Sequence, residues 1–131
     1  MTFTADLNRY AKKTKSNMGE AKQAIVFNLF GQVMKRTPVD TGRAKNSWMV
    51  TENTPAVGVS VVDSKTPLGT FGPSSLRELG QITERFTLDI LANNLPYIEK
   101  LEFGSSGQAP AGMVRVTLTE FDAIARKEGW S

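Results

Sequence analysis

The stretch that decides the fold is residues 35–43, which read Lys-Arg-Thr-Pro-Val-Asp-Thr-Gly-Arg. Pro38 disfavours α geometry in Thr37, so a helix that arrives here must end. Asp40 is a residue type that accepts hydrogen bonds from amides two residues on, and Gly42 takes a positive φ at no steric cost. The sequence therefore predicts a structural turn, from helix into strand, made by Thr37, Pro38, Asp40, Thr41 and Gly42. A binding loop is the alternative, but the glycine spacing and the Lys-Ser/Thr pair of a phosphate-binding loop are missing.

A helix is predicted immediately before the turn, from Ser16 to Arg36. Its apolar residues recur three or four apart, as an amphipathic helix requires: Met18, Ala21, Ile25, Leu29 and Val33. The first fifteen residues carry a weaker signal. Leu7 and Tyr10 permit a helix there, whereas the charge run permits a mobile basic arm.

After the turn the apolar period changes to two, which predicts strands at 47–51, 56–62 and 85–91. A short helix follows at 97–103, ended by Gly104, and a long C-terminal helix runs from Gly112 or Met113 to Trp130. This order predicts one α+β domain over residues 1–131, with a small antiparallel sheet and helices at both ends.

The segment from Asp63 to Ser75 reads DSKTPLGTFGPSS and is predicted to be a long flexible loop between strands. Its Gly, Pro and Ser content predicts little packing on its own domain. It nevertheless carries Leu68 and Phe71, so contact with a neighbouring subunit or partner is predicted, with a disordered tip as the alternative. Residues 76–82 are either a short helix or a continuation of the loop.

Composition restricts the function classes. The chain has 131 residues, no cysteine and no histidine, which excludes disulfides, thiolate nucleophiles and a Ser-His-Asp triad. Glu99 and Glu102 lie three apart on a predicted helix, but a carboxylate pair without a third ligand is typical of solvated or ion-paired residues. We expect no enzyme activity, no metal and no cofactor. No apolar run approaches the ~20 residues that span a bilayer, and no secretory signal is recognised at the start.

Charge is unevenly distributed along the chain. Nine Lys and Arg face three Asp and Glu up to Lys45, a balance of +6, and the remainder carries −3. Such polarity indicates either contact with nucleic acid or head-to-tail complementarity between copies of one protein. Chance clustering on a solvated surface is the third interpretation.

Three strings resemble one protein family: TPVDTGR at 37–43, YIEKLEFGS at 97–105 and APAGMVR at 109–115. They are similar to the tail-completion, or neck, proteins of long-tailed bacteriophages, a group of minor tail components that includes proteins of the lambda protein Z type. The likeness covers about residues 24–121. It implies a structural virion protein of the neck or tail, assembled in the host cytoplasm. Copies would form a ring, hexameric by preference and dodecameric as the alternative, between the connector or adaptor and the tail terminator or tail tube proteins.

In such a ring, subunit or partner contacts are expected from Arg43, Trp48, Leu68, Phe71, Glu102, Phe103 and Met113. Trp48 and Phe103 should be mostly buried, in the core or against a neighbour, because large aromatics contribute much of the energy of cores and interfaces. Phage DNA would pass through the lumen without sequence reading, against Arg9, Lys12, Lys13 and Lys15. The alternative function is a small nucleic-acid-binding module that uses the basic region from Arg9 to Lys22.

Overall fold

The computed structural model describes residues 1–5, 18–59, 63–85 and 87–128. Helices and a small sheet are mixed along the chain, so the fold is α+β. The elements run in the order β1 (Thr2–Ala5), α1 (Met18–Lys35), α2 (Arg43–Asn46), β2 (Met49–Glu52), α3 (Ser75–Leu79), β3 (Asp89–Ala92), α4 (Ile98–Glu102), α5 (Val114–Leu118) and α6 (Phe121–Lys127).

The sheet has three antiparallel strands in the order β1-β3-β2. All four residues of β3 are buried, as expected of the central strand. Strand β1 was not predicted. Its residues 2–5 pair with β3, so the prediction of a mobile arm is wrong for them. Residues 6–17, which belong to the same predicted arm or to the start of the predicted helix, lie outside the described part. Four residues that precede a charge run give too short an alternation to indicate a strand.

Helix α1 covers the sheet and contributes the largest share of the described core, six of its 19 residues. Its inward face carries Leu29 and Phe30, and the Phe30 ring meets Phe3 of β1 edge-on at 5.6 Å between ring centroids. Lys22 of the same helix donates to Asp89 of β3 at 2.9 Å. Burial raises the pKa of Asp89, and the Lys22 ammonium works against that rise. An ion pair therefore lies inside the interface between α1 and the sheet.

The other strand predictions are partly corrected. β2 and β3 fall within or beside the predicted ranges 47–51 and 85–91. Residues 56–59 form no strand, and residues 60–62 lie outside the described part. Val57 is 89% exposed, and the Asn94 side chain holds the carbonyls of Ala56 and Gly58 at 3.0 Å. Val57 and Val59 therefore face water rather than a second layer.

The prediction of a single C-terminal helix is wrong, because the chain forms two helices, α5 and α6, with a break at Thr119 and Glu120. The hydroxyls of Thr117 and Thr119 donate to the carbonyls of Met113 and Val116, at 2.8 and 2.6 Å. Such bonds compete with the helix, and β-branched residues propagate it poorly. The break turns α6 so that its buried residues pack on α1.

In the residues that the structure covers, no helix combines the length and apolar character needed to cross a membrane. The short helix α4 is found where the sequence predicts it, and Gly104 follows with a φ of 88°.

Candidate functional site

A groove of about 640 Å³ opens where two of the distinctive strings meet. One wall is the turn and the start of α2, residues 38–44, and the other is Tyr97, Leu101 and the loop at 105–108. Asp63 closes one end. Residues more than fifty positions apart in the sequence therefore line one concave surface.

The turn depends on Gly42, whose φ is 90°, so the predicted positive φ is confirmed. A Cβ at this position would lie 2.1 Å from the Ser64 carbonyl oxygen, which no side chain tolerates. The Thr41 hydroxyl, rather than the Asp40 carboxylate, accepts the amide two residues on, from Arg43 at 3.2 Å. The turn leads first into α2 and only then into β2, which corrects the direct helix-to-strand prediction.

Hydrogen bonds through Thr37 connect Trp48 to the last turn of α1, directly before the structural turn. The Trp48 Nε1–H donates to the Thr37 hydroxyl at 2.8 Å, and that hydroxyl donates to the Val33 carbonyl at 2.8 Å. Trp48 is 1% exposed, so its predicted burial is confirmed, and it is buried in the chain's own core. The expected partner contact of Trp48 is therefore corrected: it has no surface to offer.

Gln108 ties the opposite wall to the turn. Its side-chain oxygen accepts the Val39 amide at 2.9 Å, and its Nε2 donates to the Val39 carbonyl at 3.1 Å. The side-chain amide of Gln108 thus uses its acceptor oxygen and its donor nitrogen on the same backbone residue. This double hydrogen bond fixes the distance between the two walls of the groove.

Glu102 anchors α4 to the start of α5. Its carboxylate accepts the backbone amides of Met113, Val114 and Arg115 at 2.8, 2.8 and 3.0 Å. These are the otherwise unpaired amides of a helix start, where negative charge is favourable. Glu102 and Met113 are 5% and 0% exposed, so the expectation that they contact a partner is corrected. Glu99 is exposed and shares no site with Glu102.

Charges surround the mouth of the groove. The Arg43 guanidinium holds Asp63 through two hydrogen bonds, Nε–Oδ1 at 3.0 Å and Nη2–Oδ2 at 3.1 Å, with both side chains nearly half exposed. Burial raises the pKa of the Tyr97 hydroxyl, with Arg43 opposing the shift and Asp63 and Asp40 adding to it. Asp40 is exposed and forms no ion pair with any described residue.

The segment at 63–75 packs on its own fold, contrary to the prediction. Lys45 is 1% exposed, and its ammonium donates to the carbonyls of Pro67 and Thr70 at 3.0 and 2.9 Å. Burial lowers the pKa of Lys45. Phe71 is half-buried against the core under the Lys35 ammonium, 4.6 Å from its ring centroid. Of the two residues expected to make a contact, Leu68 is the more exposed, at 47%.

Phe103 is not buried in the chain's own core, because it is 72% exposed on the single chain, and its burial against a neighbour stays a prediction. The Arg115 guanidinium lies 5.1 Å from its ring centroid. Arg115 is itself held by Glu102, through Nε at 3.1 Å and through Nη2 to the Glu102 carbonyl. The aromatic ring therefore projects outward next to a fixed cation.

Two of the predictions concerned contact with nucleic acid. Arg9, Lys12, Lys13 and Lys15, the expected DNA contacts, lie outside the described residues. Lys22, at the end of the alternative basic region, is 1% exposed and paired with Asp89, which corrects its assignment to a nucleic-acid surface.

Three residues that shape the site were not predicted from the sequence: Asp63, Gln108 and Arg115. Arg115 belongs to the APAGMVR string, but its contact with Phe103, twelve residues earlier in the chain, has no local sequence signal. Gln108 and Asp63 stand in loops without a local signal, and only the folded chain brings them to the turn.

Comparison with protein-family models, with curated proteins and with solved structures found no match.

Proposed function

We propose that this protein is a structural component of a bacteriophage virion, a ring-forming subunit of the neck that completes the tail or joins it to the capsid connector. One observation carries the proposal. The strings that resemble tail-completion proteins, at 37–43 and 97–105, line the same groove although they are far apart in sequence. Their inward residues hold the fold, and their outward residues face an open concave surface.

The make-up of the groove supports a protein contact. Its floor includes apolar side chains such as Pro38 and Leu101, and its rim carries Asp40, Arg43 and Asp63. An apolar centre with a polar, partly exposed rim is the usual anatomy of a protein–protein interface. Tyr97, at 39% exposure, adds an aromatic residue of the kind enriched at such surfaces.

The proposal includes a hexameric ring, with a dodecamer as the alternative, between the connector or adaptor and the tail terminator or tail tube. Assembly would take place in the host cytoplasm, and phage DNA would pass through the lumen. It also includes a long N-terminal helix that starts at Ser16, of which α1 is the described part.

Mass photometry and negative-stain imaging of the purified protein, without DNA, test the proposal. We expect one discrete oligomer, with ring-shaped particles of uniform diameter. A protein that stays monomeric at every concentration would contradict it.

The same samples address the nucleic-acid-binding alternative. A binding module would remain small and would bind DNA with an affinity that falls steeply with salt, because each phosphate contact releases counterions. A ring subunit should assemble without DNA and show weak, sequence-independent binding at most.

A further inference from the structure

We propose that the groove between the turn and α4 is a socket for a second copy of the chain, and that the neighbour inserts Phe103 together with Arg115. This rests on the ring assembly proposed above and names the contact that would build it. Phe103 is the exposed aromatic with the largest free fraction among the described residues, at 72%.

The insert and the socket face different directions on the same short helix. Leu101 lines the groove, whereas Phe103 does not. Successive residues of a helix turn by 100°, so Phe103, the residue that directly follows α4, points away from the Leu101 side by about 200° if the helical turn is continued to it. A copy cannot fill its own groove with this ring. Each copy therefore offers one insert and one socket, a head-to-tail arrangement that closes into a ring when the rotation allows.

The charges of the two surfaces are complementary. Arg115 uses its Nε and Nη2 on Glu102, which leaves guanidinium N–H groups free for an acceptor, and its side chain is 51% exposed. Asp40 offers an exposed carboxylate at the mouth of the groove, unpaired within the described residues. A cation that enters next to Phe103 would meet it.

The insert is also preorganised. Glu102 binds three amides at the start of α5 as well as the Arg115 side chain, so the helix that carries Arg115 is fixed to the helix that ends at Phe103. Because the Arg115 side chain is already held in place, association costs little further side-chain conformational entropy, which favours affinity. Buried aromatic and arginine residues are the commonest dominant contributors to interfaces.

Assembly of point variants is the first test. Phe103→Ala should raise the protein concentration at half-assembly at least about tenfold, as for a dominant interface residue. Asp40→Lys should weaken assembly too, because it places a cation against Arg115. Leu76→Ala is the matched control, since Leu76 is 59% exposed but lines no groove described here, and it should shift assembly less than about twofold. Thermal unfolding of each variant checks that the fold is retained.

Photo-crosslinking identifies the occupant. The variant Phe103→p-benzoylphenylalanine keeps an aromatic ring in place, and mixing ¹⁵N-labelled with unlabelled chains distinguishes contacts between copies from contacts within one. We expect crosslinks between copies that map to the tryptic peptide 37–43 or to the groove residues Tyr97, Leu101 and 105–108. The variant Leu76→p-benzoylphenylalanine should give none there.

The outcomes separate the two proposals. If rings form but Phe103→Ala assembles normally, or if crosslinks map to a symmetric 103–103 contact or to another surface, the socket is wrong and the ring stands. If no oligomer forms at any concentration, both proposals fall.

Discussion

Two ion pairs of this protein each join a basic side chain to an aspartate at nearly the same distance, yet they lie in opposite environments. Lys22 and Asp89 are 2.9 Å apart with side chains 1% exposed, between α1 and the central strand. Arg43 and Asp63 are 3.0 Å apart with side chains 43% and 47% exposed, at the mouth of the groove. The first belongs to the interior of the fold, and the second belongs to a surface that is open to a partner.

The difference in exposure matters for two reasons. Water weakens the attraction between two exposed charges, and it also solvates an exposed charge whose partner has been removed. Removing one member of a buried pair leaves a charge in a poor solvent, whereas an exposed pair contributes little to stability. Replacement of either Lys22 or Asp89 alone should therefore lower the stability of the fold strongly. The pair at the groove should be free to exchange its partner when a neighbour binds.

The largest expected effect is at the interior pair. Lys22→Met should lower the free energy of unfolding by about 3–5 kcal/mol at neutral pH, because Asp89 is left buried without its cation. Denaturant titration measures the change.

The pH dependence of that loss gives a second check. Burial already raises the pKa of Asp89 above its ordinary 3.8, and without Lys22 it should rise further. The folded variant then holds this proton more tightly than the unfolded chain. Its deficit should be complete above the folded pKa and shrink as the pH falls toward 3.8. The double variant Lys22→Met/Asp89→Leu should recover most of the stability. A deficit independent of pH would show that the charge left on Asp89 is not its cause.

The next effect concerns the turn that forms one wall of the groove. Gly42→Ala should cost about 3 kcal/mol, since the new Cβ adds a clash with Ser64 to the strain of a positive φ. Gly69→Ala is the matched control: its φ is 88° but a Cβ would meet nothing within 4 Å, so the cost should be about 1–2 kcal/mol. Equal losses in the two variants would remove the contact with residue 64 from the explanation.

The smallest effect is expected at the exposed pair. Arg43→Met and Asp63→Asn should each change the free energy of unfolding by less than about 1 kcal/mol. The same variants measured for assembly sharpen the comparison, because a residue at the groove mouth affects association more than folding. A stability loss as large as that of Lys22→Met would contradict the contrast between the two pairs.

The turn shows how much the sequence could predict. Pro38 and Gly42 act through the backbone, and the conformations they prefer are properties of the residues themselves. The end of α1 and the positive φ at Gly42 followed without knowledge of any neighbour. The signals that predict the short helix α4 are equally local, because Pro96 stands shortly before its start and Gly104 shortly after its end.

The groove shows the limit. TPVDTGR and YIEKLEFGS were recognised as distinctive, but nothing in either string says that they meet. Gln108, which spaces the walls, stands 69 residues from Val39. Likewise, Glu102 was expected to be solvated or ion-paired, and it does pair with Arg115, but nothing in the sequence indicated that its carboxylate also accepts the amides at the start of α5 and is buried there.

By itself the sequence determined the class of the fold, the turn, the bounds of α1 near its end and the short helix. These follow from backbone preferences and from apolar periodicity, which act within a few residues. Only the tertiary structure decided that residues 2–5 complete the sheet, that Thr119 and Glu120 divide the last helix, and that Phe103 stays outside while Glu102 is buried. Those outcomes depend on which distant groups supply hydrogen bonds and apolar contact, and the free energy of such contacts exists only once the chain is folded.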